Sequence, residues 1–203
     1  MPRRTFPRKD SVHRTTAGEV LAHHAFRTGS PVGLPVPIEM IIEQTYELTI
    51  IWDEIDEPPN TKILGQLVPS RREIVLNERH HAMFERWVGP ERFTLAHELA
   101  HWIYDADHPD QQQMNFGSVE QFCYHRESSG LSEDTRIREM NANKLAAHIL
   151  LPEDLVRQAP IDEVLRSFNE TAEHWGVSRT TLKIRLEALG LIDEADLFLL
   201  EQL

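Results

Sequence analysis

Apolar residues change their period several times along the chain, and each change marks an element. Residues 15–29, TTAGEVLAHHAFRTG, predict a helix opened by a threonine cap and ended near Gly29. The next stretch, SPVGLPVP, holds three prolines and a glycine, which exclude both a helix and a central strand. A short helix, IEMIIEQ, follows. The period then shortens. Tyr46 to Trp52 is rich in β-branched and aromatic residues and predicts a strand; Ile63–Val68 and Arg72–Leu76 predict two more, joined by a turn at Pro69-Ser70. These three runs predict a small, antiparallel sheet. After Asn77 the spacing becomes helical. NERHHAMFERWV stops at Gly89-Pro90, and Pro90 suits the opening of the next helix. That helix, ERFTLAHELAHWIYD, sets Phe93, Ala96, Ala100 and Ile103 three and four apart. Residues 106–131 show no clear period. EDTRIREMNANKLAAHIL predicts a long helix ending before Pro152, and the remainder predicts three or four short ones.

This order predicts an α+β fold: a three-stranded sheet, a pair of helices beside it, and a helical carboxyl-terminal module. We divide it into a flexible basic arm (1–14), a main domain (15–152) and the terminal module (153–203).

Composition narrows the function. The 203 residues are 40% apolar and 27% charged, ordinary for a globular protein and unlike a low-complexity or collagenous chain. No apolar run approaches the roughly 18 residues of a membrane span, and the basic amino terminus lacks the apolar stretch of a secretory signal. With a single cysteine, Cys123, no internal disulfide forms, which points to a reducing cytoplasm. A net charge of −12 repels phosphate backbones and anionic membranes.

The chemistry concentrates at His97-Glu98-Leu99-Ala100-His101, an HExxH pattern. Residues four apart lie one above the other on a helix, so two imidazoles there reach one tetrahedral Zn²⁺. Glu98, beside the first ligand, can take a proton from a metal-bound water and return it to a leaving amine. The flanks Phe93, Leu95, Ala96, Leu99, Ala100, Trp102 and Ile103 are apolar on nearly every side, so this helix is expected to be buried. Two buried histidines and a glutamate need partners, and a metal supplies them.

A catalytic zinc needs a third protein ligand and an open position. Tyr104 and Asp107 occupy the places where an extended HExxHxxGxxH pattern would continue. A carboxylate on a second helix is therefore expected: Glu139, in Glu139-Met-Asn-Ala142-Asn143, with Glu133, Asp134 and Asp105 as alternatives. Small Ala142, Ala146 and Ala147 would let that helix come close, and Asn143 could hydrogen-bond to a ligand. Tyr104, His125 and His148 are candidates for stabilising an oxyanion. Cys123 is read as a small apolar filler rather than a thiolate mask on the metal, and His23-His24 and His80-His81 as helix-surface histidines.

TLAHELAHWIYD followed by REMNANKLAAHILLP resembles the ImmA/IrrE family of zinc metallopeptidases, whose pattern is HExxH and, one helix later, Glu-x-x-Ala-Asn. Leu150-Leu151-Pro152, Ile63-Leu-Gly65, Ile74 to Asn77 and Val177-Ser178 through Gly190-Leu191 extend the likeness over roughly residues 35–192. The resemblance implies zinc at His97, His101 and Glu139, Glu98 as catalytic base, and limited proteolysis of a regulatory protein such as a helix-turn-helix repressor or antitoxin-like regulator. The stretch between His101 and Glu139 is longer than in compact members, and the extra loop, 106–131, would cover or shape the cleft.

Phe168 to Leu186 also resembles a helix-turn-helix, with a Gly176 turn, a Ser178 cap and Arg179, Lys183 and Arg185 placed to meet phosphates. Residues 153–203 nevertheless carry five basic against eleven acidic side chains, a net −6 that opposes DNA affinity. The competing expectations are a non-catalytic metal-binding or partner-sequestering regulator, a DNA-binding regulator, and a metal-dependent amidase or deacylase.

Overall fold

The computed structural model describes residues 8–59, 61–104, 113–116 and 132–200. Helix α1 spans Asp10–Thr28, five residues earlier at its start than the threonine cap implied. The Asp10 carboxylate stands in the first turn, where the helix dipole favours it, and its Oδ1 lies 3.0 Å from His148 Nε2. Residues 10–14 of the expected arm are thus helical, and His13 among them is fully buried. Gly29 ends the helix in the left-handed region at φ 70° and donates its N–H to the Ala25 carbonyl. Helix α2 (Ile38–Met40) runs straight into a π-helical turn, Ile41–Thr45, and together they bury Ile38, Ile41 and Ile42.

Strands β1 (Thr49–Asp53), β2 (Ile63–Val68), β3 (Glu73–Asn77) and β4 (Gln113–Phe116) form one sheet in the order β1-β3-β2-β4. The expected antiparallel pairing holds for β2 and β3 but not for β1, which runs parallel to β3 with Ile51 opposite Val75. The reason lies in the connection. Residues 54–62 carry the chain past the β3 position before β2 begins, so the short return through Pro69–Arg71 sets β3 between its predecessors. Buried Asn77 pins that connection, accepting from the Ile55 N–H at 3.2 Å and donating to the Ile63 carbonyl at 2.8 Å. The fourth strand comes from the stretch without clear period and pairs antiparallel with β2.

Helices α3 (His81–Arg86) and α4 (Val88–Tyr104) follow β3 in the chain, and α5 (Glu133–Leu150) follows β4. The Ser132 hydroxyl caps α5 by accepting from the Thr135 N–H. Five short helices complete the chain: α6 (Glu153–Gln158), α7 (Ile161–Arg166), α8 (Phe168–His174), α9 (Arg179–Ala188) and α10 (Glu194–Leu200).

Two apolar clusters bracket the sheet. Leu64, Leu67, Ile74 and Leu76 face the main core with Leu95, Ala96 and Leu99 of α4. Ile63, Val68 and Val75 pack on the other side with Ile55. Leu64 and Leu67 share a face, although three apart, because the β2–β4 register slips between Ile63 and Gln66. Val156, Val164, Phe168, Ala172, Leu182 and Leu186 of the terminal helices belong to the same continuous core as α4 and α5.

Arg92, nearly buried, ties three parts together. It donates to the Gly176 carbonyl at 3.1 Å, to Glu39 at 2.9 and 3.1 Å, and to the Val36 carbonyl. The Gly176 turn, at φ 67°, rests against α4, where a side chain on Gly89 would strike the Val177-Ser178 backbone. The terminal module is therefore seated on the start of the HExxH helix.

Candidate metal centre

Helix α4 is as buried as its apolar flanks predict: Leu95, Ala96, Leu99 and Ala100 are all at most 1% exposed. A helix sealed this way holds its polar residues in fixed positions, and His97 and His101, one turn apart, are equally buried. Ala142 and Ala146, also buried, present little bulk on α5, so the two helices pack closely. Glu139 stands on α5 facing the imidazole pair.

The donor atoms converge. His97 Nε2 and His101 Nε2 are 2.9 Å apart; Glu139 Oε2 lies 3.2 Å from the first, and its Oε1 lies 3.3 Å from the second. A tetrahedral ion with bonds of 2.0–2.1 Å separates its ligand atoms by about 3.4 Å. The three spacings approach that value, so the residues present fit a metal. Among the described residues, His97, His101 and Glu139 form the one group of His, Cys, Asp or Glu with three donor atoms this close. Glu139 keeps 19% of its side-chain surface exposed, which leaves the group an approach from solvent.

Protonation follows from the same geometry. Burial alone would raise the Glu139 carboxyl, but hydrogen bonds to His101 and His97 and their charges overcome it and hold the group well below the usual carboxylate range. Glu98 behaves oppositely. It is fully buried, and burial pushes its carboxyl up; His97 and His101 pull it down, Glu139 pushes it up, and the Leu67 backbone amide opposes only weakly. Among the described residues, no group comes within hydrogen-bonding geometry of either Glu98 oxygen. A buried carboxylate without partners is costly, and a metal held by His97, His101 and Glu139 would offset that cost. Glu98 sits under β2, where a side chain at Gly65 would come within 3.7 Å of its Cγ and 2.5 Å of Thr94 Cγ2. Asn143 Oδ1 lies 2.7 Å from His97 Nδ1, as its place one turn after Glu139 suggested.

The other candidates are distributed elsewhere. Glu133 and Asp134 are exposed in the first turn of α5, outside the group. Asp105, Cys123 and His125, with most of loop 106–131, lie outside the described residues. Tyr104 is half-buried: its hydroxyl lies 2.7 Å from His13 Nδ1, the Arg8 guanidinium covers its ring at 4.1 Å, and burial raises the phenol. His148 is committed to a buried junction of α1, α5 and α9. A proton on its Nε2 is shared with Asp10, and its Nδ1 accepts from Arg185 at 3.1 Å.

Arg185 corrects one expectation. It is 4% exposed, donates to the Leu151 carbonyl at 2.9 Å, and cannot reach a phosphate. The signal lay in α9 itself, where Arg185 shares a face with buried Leu182 and Leu186. His24 also departs from the surface reading. It is 3% exposed, with its Nδ1 2.8 Å from the Thr45 hydroxyl, while His23 and His81 are exposed and His80 bonds to Glu57 at 2.7 Å.

The model of the IrrE N-terminal-like domain, a peptidase family, matches residues 55–187 and so takes in both helices of the centre. This chain belongs to that family. The IrrE-like match runs from the loop before β2 into α9, so the sheet edge, the HExxH helix, α5 and most of the terminal module fall inside it. No curated protein matches the chain. Among solved structures, a Mycobacterium tuberculosis transcriptional regulator is similar at 18% identity and a TM-score of 0.49, covering 87% of this chain. The IrrE-like chain spans 46% of that protein's length. Among the described residues no helix is long and apolar enough to cross a membrane.

Proposed function

We propose that the protein is a zinc-dependent endopeptidase that performs limited proteolysis of a regulatory protein, such as a helix-turn-helix repressor or antitoxin-like regulator. The observation that carries the reading is the convergence of His97, His101 and Glu139 beside a buried Glu98 that has no hydrogen-bond partner among the described residues. Two imidazoles and a carboxylate are a donor set used by catalytic zinc, with a further position left for solvent. Bound there, Zn²⁺ would polarise the scissile carbonyl and lower the pKa of a coordinated water.

The chain's own residues do the rest. Glu98 accepts the proton of the attacking water on a carboxylate oxygen, and the same group then protonates the leaving amine. Its burial suits both halves, since a raised carboxyl holds the proton long enough to pass it on. Glu139 stays ionised and keeps the two imidazoles facing it. DNA is not the proposed partner: the terminal module is net acidic, and Arg185 of α9 is spent internally.

The test is Glu98→Gln. Elemental analysis of protein purified without chelator should find zinc unchanged, while new termini released from a proteome-derived polypeptide library fall about 10²–10⁴-fold, the usual share of a general base. Equal cleavage by the variant, or parent protein without zinc, would refute the reading.

A further inference from the structure

The amide of Asn143 touches one nitrogen of the His97 ring, and that contact has consequences for charge as well as orientation. His97 is fully buried, so water cannot satisfy its nitrogens. Its Nδ1 lies 2.7 Å from Asn143 Oδ1. An amide oxygen only accepts, so the proton of a neutral ring sits on Nδ1. Nε2 is then the nitrogen that faces the space it shares with His101 Nε2 at 2.9 Å and Glu139 Oε2 at 3.2 Å. Glu139 and Asn143 are one turn apart on α5. A single helix face thus supplies a ligand and the group that orients its neighbour.

The residue type matters as much as the contact. A carboxylate often fills this role beside a metal-bound histidine. Here Glu98 and Glu139 already bring two carboxylates to a site for one dication, and the two match its charge. An aspartate at 143 would add a third negative group at hydrogen-bond distance from a ligand. It would strengthen the metal's hold while weakening the metal's pull on a substrate carbonyl. Asn143 supplies the acceptor without the charge.

We propose that Asn143 is a positioning residue that fixes the Nδ1–H form of His97 and does so without charge, so that the centre binds zinc firmly yet stays electrophilic. This rests on the zinc reading given above. It is tested on the full chain with Asn143→Leu, which keeps the volume and removes the acceptor, and Asn143→Asp, which keeps the acceptor and adds charge. Zinc affinity is measured by competition with a chromophoric chelator. We expect Asn143→Leu to weaken zinc about 10–100-fold and Asn143→Asp to bind at least as tightly as the parent while cleaving more slowly. A second measurement needs no variant at 143: long-range ¹H–¹⁵N NMR on the metal-free parent, with His97 assigned by substitution, should show the proton on Nδ1. Unchanged zinc affinity in Asn143→Leu, equal weakening in both variants, or an Nδ1 without a proton would overturn the proposal. If Asn143→Leu does not fold, the ring tautomer decides alone. A parent chain that binds no zinc would defeat the zinc reading, and the tautomer would still show whether Asn143 holds the ring.

Discussion

Replacing Gly65 by alanine tests how tightly the sheet is pressed onto the HExxH helix. The added Cβ would lie 2.5 Å from Thr94 Cγ2 and 3.2 Å from the Val75 carbonyl. Thr94 is fully buried, and its hydroxyl donates to the Pro90 carbonyl at 2.9 Å, so its side chain cannot simply rotate away. Forcing a methyl group into a packed core costs about 1–3 kcal/mol. Against this, alanine restricts the unfolded chain and returns about 0.4–1 kcal/mol. The net expectation is a loss of about 1–2 kcal/mol, or about 2–8 °C in Tm for a chain this long. Thr94→Ser removes the methyl that Gly65→Ala would strike, at its own cost of about 1 kcal/mol. The double variant should therefore be no less stable than Thr94→Ser, a coupling of about 1–2 kcal/mol. Urea unfolding followed by circular dichroism, at one fixed metal load, measures all four corners of the cycle. Additivity within about 0.5 kcal/mol would refute the contact. Because Glu98 is the next residue to feel the intrusion, the single variant should also lose cleavage, and the double should regain it.

Two further outcomes follow from the buried polar groups. Arg185→Met leaves the Leu151 carbonyl and His148 Nδ1 buried without a donor. The expected cost is about 2–4 kcal/mol, and urea unfolding showing less than about 0.5 kcal/mol would mean that solvent reaches those acceptors. His13 is fully enclosed; burial, then the charges of His148 and Lys144, push its ring down from 6.5 to about 4. The unfolded ring therefore takes up a proton first. Its contribution is complete above about pH 6.5 and is lost as the pH falls toward about 4, with a total of roughly 3 kcal/mol. His148 is shifted in the same direction, by burial and then by Arg185. His13→Leu should flatten the denaturation midpoint across that window, and an unchanged slope would refute the assignment.

Much of the centre was readable along the chain because its information is local. His97, Glu98 and His101 are fixed by helical spacing, and Ala142 and Ala146 advertised a close approach. Strands β2 and β3 and the cap at Ser178 were equally legible from short-range chemistry. The misreadings concern contacts with distant segments. The parallel partner of β1 depends on where a nine-residue connection crosses, and the early start of α1 depends on an aspartate meeting a histidine 138 positions away. Arg185 looked like a phosphate ligand because its type suggests the surface. Only its place beside Leu182 and Leu186 revealed otherwise.

The amino-acid order by itself thus determined the α+β class, the HExxH helix and the residue types able to hold and use a metal. Those follow from periodicity, capping and donor chemistry, which act within a few residues. Tertiary packing alone decided that Glu139 meets the imidazoles, that Glu98 is buried under β2, and that the Gly176 turn rests on the start of α4. Each joins groups far apart in the chain. Whether such groups meet is set by which apolar faces close on one another, a property of the whole core and not of any short segment.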